Sequence, residues 1–185
     1  QNAVKWAKAY AYRPIALSVP LDEWINGGWK TLPDRRVTFE GDSGEKLDIQ
    51  TAVPIAELKT RLSQLGWNED TFSPFSRFLE TTLPSSRPLS DRATLARYNE
   101  GQAPVVVMTK APANASAQRS VLRLWSTINQ IGNQVDAEPD TTPIMVGSIS
   151  TETLEPLAFG FAEIESMPRS EPVSILLPSL GTGTA

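Results

Sequence analysis

The stretch SVLRLWS, Ser120 to Ser126, alternates with the period of a β-strand while setting an arginine between a valine and a tryptophan. Successive side chains on a strand point to opposite faces. Leu122 and Leu124 therefore share one face, and Val121, Arg123 and Trp125 share the other. A guanidinium keeps its charge, and stripping its hydration without partners costs several kcal/mol. Arg123 is thus a ligand hook, an ion paired with a carboxylate, or an arm lying over an indole. The acidic excess of the chain supplies many internal partners, so the structural reading is preferred.

Working outward, PVVVMTK (Pro104 to Lys110) is an unbroken apolar run of the kind buried on both faces, with Val105 to Thr109 as its strand. PIMVGSIS (Pro143 to Ser150) supplies a third strand at Ile144 to Ile149, after a polar loop from Thr127 to Thr142. LEPLAFGFAEIE is apolar and reads equally as strand or helix. Upstream, VTFE (Val37 to Glu40) and KLDIQ (Lys46 to Gln50) flank the turn-rich GDSGE and predict a hairpin. In PIAELKTRLSQLGW, Ile55, Leu58, Leu62 and Leu65 recur at helical spacing, with Pro54 at the start and Gly66 as cap. These four apolar positions should be buried. SVPLDEWINGGW is a shorter helix opened by Pro20 and stopped by Gly27 and Gly28. SPFSRFLETTL suggests a helix from Ser73, and LSDRATLARYN another helix or a crossing loop. The sum is a single α+β domain with a mixed or antiparallel sheet: hairpin, helix, then a three-strand meander, with short flanking helices. Its expected limits are 19–166, between an N-terminal arm at 1–18 and a tail at 167–185.

The composition excludes more than it selects. The 185 residues contain no cysteine and no histidine. Histidine-dependent serine or cysteine catalysis and ordinary zinc sites are therefore excluded, as are disulfides. A net charge of −4 and the absence of a basic run beyond Arg35–Arg36 point away from nucleic acid. No apolar run is long enough to span a bilayer. The first thirteen residues, QNAVKWAKAYAYR, interleave Lys5, Lys8 and Arg13 with Trp6, Tyr10 and Tyr12, a mixture suited to the membrane-water boundary. The start at Gln1 rather than methionine fits either removal of a preceding signal or membrane segment or a stretch cut from a longer chain.

GDSG, Gly41 to Gly44, resembles the stretch around the serine of trypsin-like proteases but lacks the histidine base, and its residues suit a hairpin turn. Glu40, Asp42, Glu45 and Asp48 crowd that hairpin, and a solvated acidic loop is a better reading than a calcium site. No motif fixes two carboxylates together for acid-base work. Trp24, Trp29 and Trp67 fall at helix ends, where core packing is expected over an aromatic ligand cradle.

Taken in order, these blocks resemble the LssY C-terminal domain family from about Val19 to Phe161. VPLDEWINGGWKTLPDRR is similar to its tryptophan-rich opening with a Leu-Pro and basic pair. KLDIQTAVPIAELKTRLSQLGW resembles its block closing on Gly-Trp, and RSVLRLW with PIMVGSISTETLEPLAFGF its last strands. Two departures stand out. Thr51 and Pro54 lie where a tryptophan and glycine are expected, and Asn99-Glu100-Gly101 replaces His-Asp-Gly. The family occurs alone or fused to DedA-type membrane proteins and type-2 phosphatidic acid phosphatases. Those phosphatases need catalytic histidines, so this domain cannot be one.

The missing histidine and cysteine chemistry and the basic-aromatic segment Gln1–Arg13, taken with this resemblance, lead to the expectation of a non-catalytic accessory or binding domain of the bacterial cell envelope, on its periplasmic face or else the cytoplasmic face of the inner membrane. Its expected partner is a membrane protein or an anionic lipid headgroup. Arg35, Arg36, Glu100, Arg123 and Trp125 are the expected ligand-binding residues, without a cofactor or catalytic residue. Asp42 and Glu45 are the alternative metal ligands. The competing reading is a carboxylate- or metal-dependent hydrolase acting on a phospholipid-related or envelope substrate. Oligomeric state is left open.

Overall fold

The computed structural model describes residues 17–38, 40–71, 88–112, 117–131, 142–156 and 162–168. Its strands are β1 (Leu17–Val19), β2 (Arg35–Val37), β3 (Ser43–Lys46), β4 (Ile49–Thr51), β5 (Asn68–Glu69), β6 (Val106–Lys110), β7 (Gln118–Ile131), β8 (Thr142–Pro156) and β9 (Ala162–Pro168). The helices are α1 (Leu21–Ile25) and α2 (Ile55–Gln64), with 3₁₀ turns at Gly28–Thr31 and Leu89–Asp91. The described residues form an α+β domain on a largely antiparallel sheet.

The opening stretch sits at the centre. β7 and β8 pair antiparallel from Gln118↔Thr153 to Ser126↔Met145, and resume at Gln130↔Pro143 after an irregularity. β6 runs along the other side of β7, with Val106 opposite Leu124 and Met108 opposite Leu122. This is the expected meander, with Val105 lying just before its strand. β9 and β4 share the free side of β8, β5 extends β6, and β1 joins the far end of β7 in parallel. β2 and β3 form a separate two-stranded sheet.

Both faces of the central strands are covered, as their mixed alternation requires. Leu122 and Leu124 pack with Val106, Met108, Met145 and Ile149 beneath Leu58 and Leu62 of α2 and Trp67. Trp125, Ile144 and Val146 pack on the opposite face with Leu32 and Leu47, against which Trp24 and Ala52 rest. Each fully buried side chain of this kind contributes about 1.5–3 kcal/mol of transfer free energy.

Four expectations change. Leu65 is exposed because α2 ends at Gln64, whereas Leu58 and Leu62 are buried and Ile55 is partly covered. Gly66, at φ 82°, makes the turn that carries the chain away. The hairpin forms at Arg35–Val37 and Ser43–Lys46 rather than further along, and KLDIQ divides. Leu47 belongs to the Trp125 cluster and Ile49 to the α2 cluster. In one unbroken strand those residues would share a face, so the chain must turn at Asp48. The loop expected from Thr127 begins later, because β7 continues to Ile131. The ambiguous apolar segment contributes strand at both ends, in β8 and β9, and β9 reaches Pro168, past the expected start of the tail.

LSDRATLARYN is a single 3₁₀ turn followed by extended chain, the crossing-loop alternative. The helix expected from Ser73 lies outside the described residues, as does most of the N-terminal arm.

Candidate functional site

Arg123 resolves as an ion in a buried triad. Arg119 and Arg123 are each 2% exposed and Glu152 is 0% exposed. Arg119 donates from Nε and Nη2 to Glu152 Oε2, at 3.0 and 2.7 Å. Arg123 Nη2 donates to Glu152 Oε1 at 2.5 Å, and its Nη1 to Ser150 Oγ at 3.0 Å. The remaining donors secure the segment crossing above. Arg119 Nη1 reaches the carbonyls of Leu89 and Arg92, Arg119 Nη2 that of Ala93, and Arg123 Nη2 that of Leu95. Leu95 N returns a bond to Glu152 Oε1, and Thr94 donates from N and Oγ1 to Asp70 Oδ2. Burial pulls the Arg123 pKa below its ordinary value, and the Glu152 charge works against that shift. The arrangement holds a loop on a sheet and leaves Arg123 no surface for a ligand.

The other expected residues fall in two places. Trp125 is fully buried in the core, and its Nε1 has no hydrogen-bond partner among the described residues. Arg35, Arg36 and Glu100 gather at the β2–β3 sheet. Buried Arg36 donates to Glu45 Oε2 at 2.5 Å and to the Tyr98 carbonyl at 2.7 Å. Arg35 is exposed and reaches the Gly44 carbonyl. Asn99 and Gln102 close a tight turn whose centre, Glu100 and Gly101, has φ of 49° and 76°. That turn docks on β2 through Glu100 N to the Val37 carbonyl and Val37 N to Asn99 Oδ1. Pairing with Arg36 occupies Glu45 and separates it in role from exposed Asp42. Among the described residues no three acidic, histidine or cysteine side chains gather to hold a metal.

Among the described residues, a surface able to receive a ligand lies elsewhere. An open cleft of about 550 Å³ forms between the α1 region and the β3–β4 connection. That volume suits a small molecule or headgroup. Trp24, Ile25, Trp29, Leu32 and Leu47 form its apolar walls, and Lys30, Asp34, Lys46, Asp48 and Gln50 supply polar groups. Gln50 fixes two walls at once. Its Oε1 accepts from Trp24 Nε1 at 3.3 Å, and its Nε2 donates to the Trp29 carbonyl at 2.9 Å. Lys30 Nζ stands 5.5 Å from the centroid of the Trp29 ring. Lys30, Asp34, Lys46 and Asp48 are exposed.

The expectation of core packing therefore holds for buried Trp67 but not for Trp29, which remains 46% exposed. Spacing alone could not separate them. Trp67 follows the helix cap onto the apolar side of α2, whereas Trp29 sits in a 3₁₀ turn behind a helix with no buried residue. The sequence alone attaches no ligand role to Lys30, Asp34, Lys46 or Gln50, which become neighbours only through the fold.

Comparison with protein-family models, with curated proteins and with solved structures gives no match to this chain.

Proposed function

We propose that this chain is a non-catalytic accessory domain of the bacterial cell envelope, related to the LssY C-terminal family, that binds a lipid headgroup at a membrane. The cleft carries this reading. Its tryptophan walls are held by Gln50, and both charge signs occur at its rim. Lys30 and Lys46 suit a phosphate ester as charge-assisted donors, and Asp34 and Asp48 suit the hydroxyls or ammonium beyond it. The periplasmic face is the favoured location.

Calorimetric titration with sn-glycerol 3-phosphate is the test. Saturable binding is expected, with affinity at least about tenfold lower in the Lys30→Ala/Lys46→Ala double variant. No heat in the native chain, or equal affinity in the variant, overturns the reading.

A second reading rests on Asp34 and Asp48 lining the same cleft. Two carboxylates there could serve acid-base or metal-assisted hydrolysis of a phospholipid-related or envelope substrate. Turnover of a chromogenic phosphodiester with Mg²⁺ or Mn²⁺, abolished by Asp48→Asn, favours the hydrolase; no turnover favours the binding domain.

A further inference from the structure

The cleft is lined by charges of both signs that leave each other unpaired. Lys30 and Lys46 bring two positive charges, and Asp34 and Asp48 two negative ones, all exposed. Among the described residues, none of the four takes part in an ion pair. Buried Leu47 separates Lys46 from Asp48 along the chain, and its N–H donates to the Asp34 carbonyl at 2.7 Å. The β3–β4 wall thus carries two carboxylates around one ammonium, while Lys30 stands on the α1 side. The lining charges cancel, and exposed Asp22 and Glu23 on α1 tip the surroundings negative. Such a field gives a doubly charged anion little net attraction. A ligand that brings its own cation beside an anion gains from both signs.

We propose that the cleft selects a zwitterionic phosphodiester ending in a primary ammonium, the chemistry of an ethanolamine headgroup. The proposal rests on the headgroup-binding reading above and names which headgroup the charges choose. Lys30 and Lys46 donate to the phosphate oxygens, and Asp34 and Asp48 accept from the ammonium. The tryptophan wall argues against a quaternary ammonium in its place. Lys30 Nζ already stands 5.5 Å from the Trp29 ring centroid, so that ring face has its cation. The two carboxylates have none, and they hold a cation through hydrogen bonds. An –NH₃⁺ group offers three donors for them, and a trimethylammonium offers none.

The test is calorimetric titration of the full chain with three soluble diesters that share one glycerophosphate part. These are sn-glycero-3-phosphoethanolamine, sn-glycero-3-phosphoglycerol and sn-glycero-3-phosphocholine. The ethanolamine diester should bind about tenfold or more tighter than the other two, and tighter than sn-glycerol 3-phosphate. Asp34→Asn/Asp48→Asn changes two exposed side chains and should keep the native near-ultraviolet circular dichroism. It should abolish the preference while leaving affinity for the glycerol diester within about threefold. The inference is overturned if the choline or glycerol diester binds as tightly, or if the preference survives in that variant. It is equally overturned if glycylglycine, with both charges and no phosphate, matches the ethanolamine diester. Equal affinity for every phosphate ligand removes the selectivity and leaves the headgroup reading standing, whereas no binding of any removes both. Sedimentation with vesicles of phosphatidylcholine containing phosphatidylethanolamine, and not with phosphatidylcholine alone, identifies the lipid as the source. Binding of the soluble diester without sedimentation keeps the ligand class and removes its membrane source.

Discussion

Arg119 and Glu152 stand directly opposite each other in the β7–β8 register, and two nitrogens of the arginine converge on one carboxylate oxygen. The other oxygen receives Arg123, which lies on the same strand face four residues along. One acid thus pairs with two guanidiniums, which leaves the triad one positive charge in excess, and their spare donors hold Leu89 to Leu95 over the sheet. Glu152→Gln leaves two buried cations without a counter-charge, and stability should fall by about 3–5 kcal/mol. Arg123→Met keeps most of the packing and leaves the Arg119 pair intact, so it should cost less, about 1.5–3 kcal/mol. Urea melts of both variants give the order. If Arg123→Met melted like the native chain while losing headgroup binding, Arg123 would be a ligand residue instead.

Gly147 stands opposite Leu124 in the β7–β8 pairing. A Cβ built there would lie 2.2 Å from the Arg123 carbonyl oxygen and 2.3 Å from Leu124 Cδ2. The first neighbour is backbone in a paired strand and cannot swing aside. Gly147→Ala should therefore cost at least about 3 kcal/mol, the upper end of ordinary overpacking. A melt within about 0.5 kcal/mol of native would mean that the two strands can separate locally at no cost.

The centre of the sheet was legible in the sequence because its signals are local. Alternation in SVLRLWS and the apolar runs in its neighbours place three strands without long-range information. The division of KLDIQ was not legible, since it depends on which core receives Leu47 and which receives Ile49. The carboxylate for Arg123 left a partial trace: Ser148, Ser150 and Glu152 alternate on β8 as Arg119 and Arg123 do on β7. Matching two polar stripes requires the register, which sequence spacing does not supply. The cleft is still less visible. Gln50 meets Trp24 and Trp29 across 26 and 21 residues of chain. Arg35, Arg36 and Glu100 come together around a docked turn rather than in the cleft.

The C-terminal end of α2 gives a direct comparison between neighbouring leucines. Leu62 is buried against Trp67 and the sheet, whereas Leu65 lies past the helix end and faces solvent. Leu62→Ala should cost about 2–5 kcal/mol through lost transfer energy and the cavity left behind. Leu65→Ala should stay within about 0.5 kcal/mol, as surface changes do. Chemical denaturation of the pair measures the difference. Similar losses would mean that Leu65 is covered in solution.

Gln50 makes the cleft testable without touching its charges. Its amide accepts from the Trp24 indole and donates to the Trp29 carbonyl, so one side chain sets two walls. Gln50→Leu keeps the approximate volume and removes both bonds. Both partner atoms lie near solvent, where water can replace the amide, so the stability loss should be modest. At about 0.5–1.5 kcal/mol for each net hydrogen bond, it should total about 1–3 kcal/mol. The effect on binding has a separate origin. A ligand entering the variant must immobilise the Trp24 ring and the backbone at Trp29, both of which the native chain holds in advance, at about 0.5–1.5 kcal/mol each. Affinity for sn-glycerol 3-phosphate should therefore fall about tenfold, with near-ultraviolet circular dichroism showing looser tryptophans. Unchanged affinity alongside a loosened near-ultraviolet spectrum would mean that the ligand does not touch the tryptophan walls. The headgroup would then lie on the lysines alone.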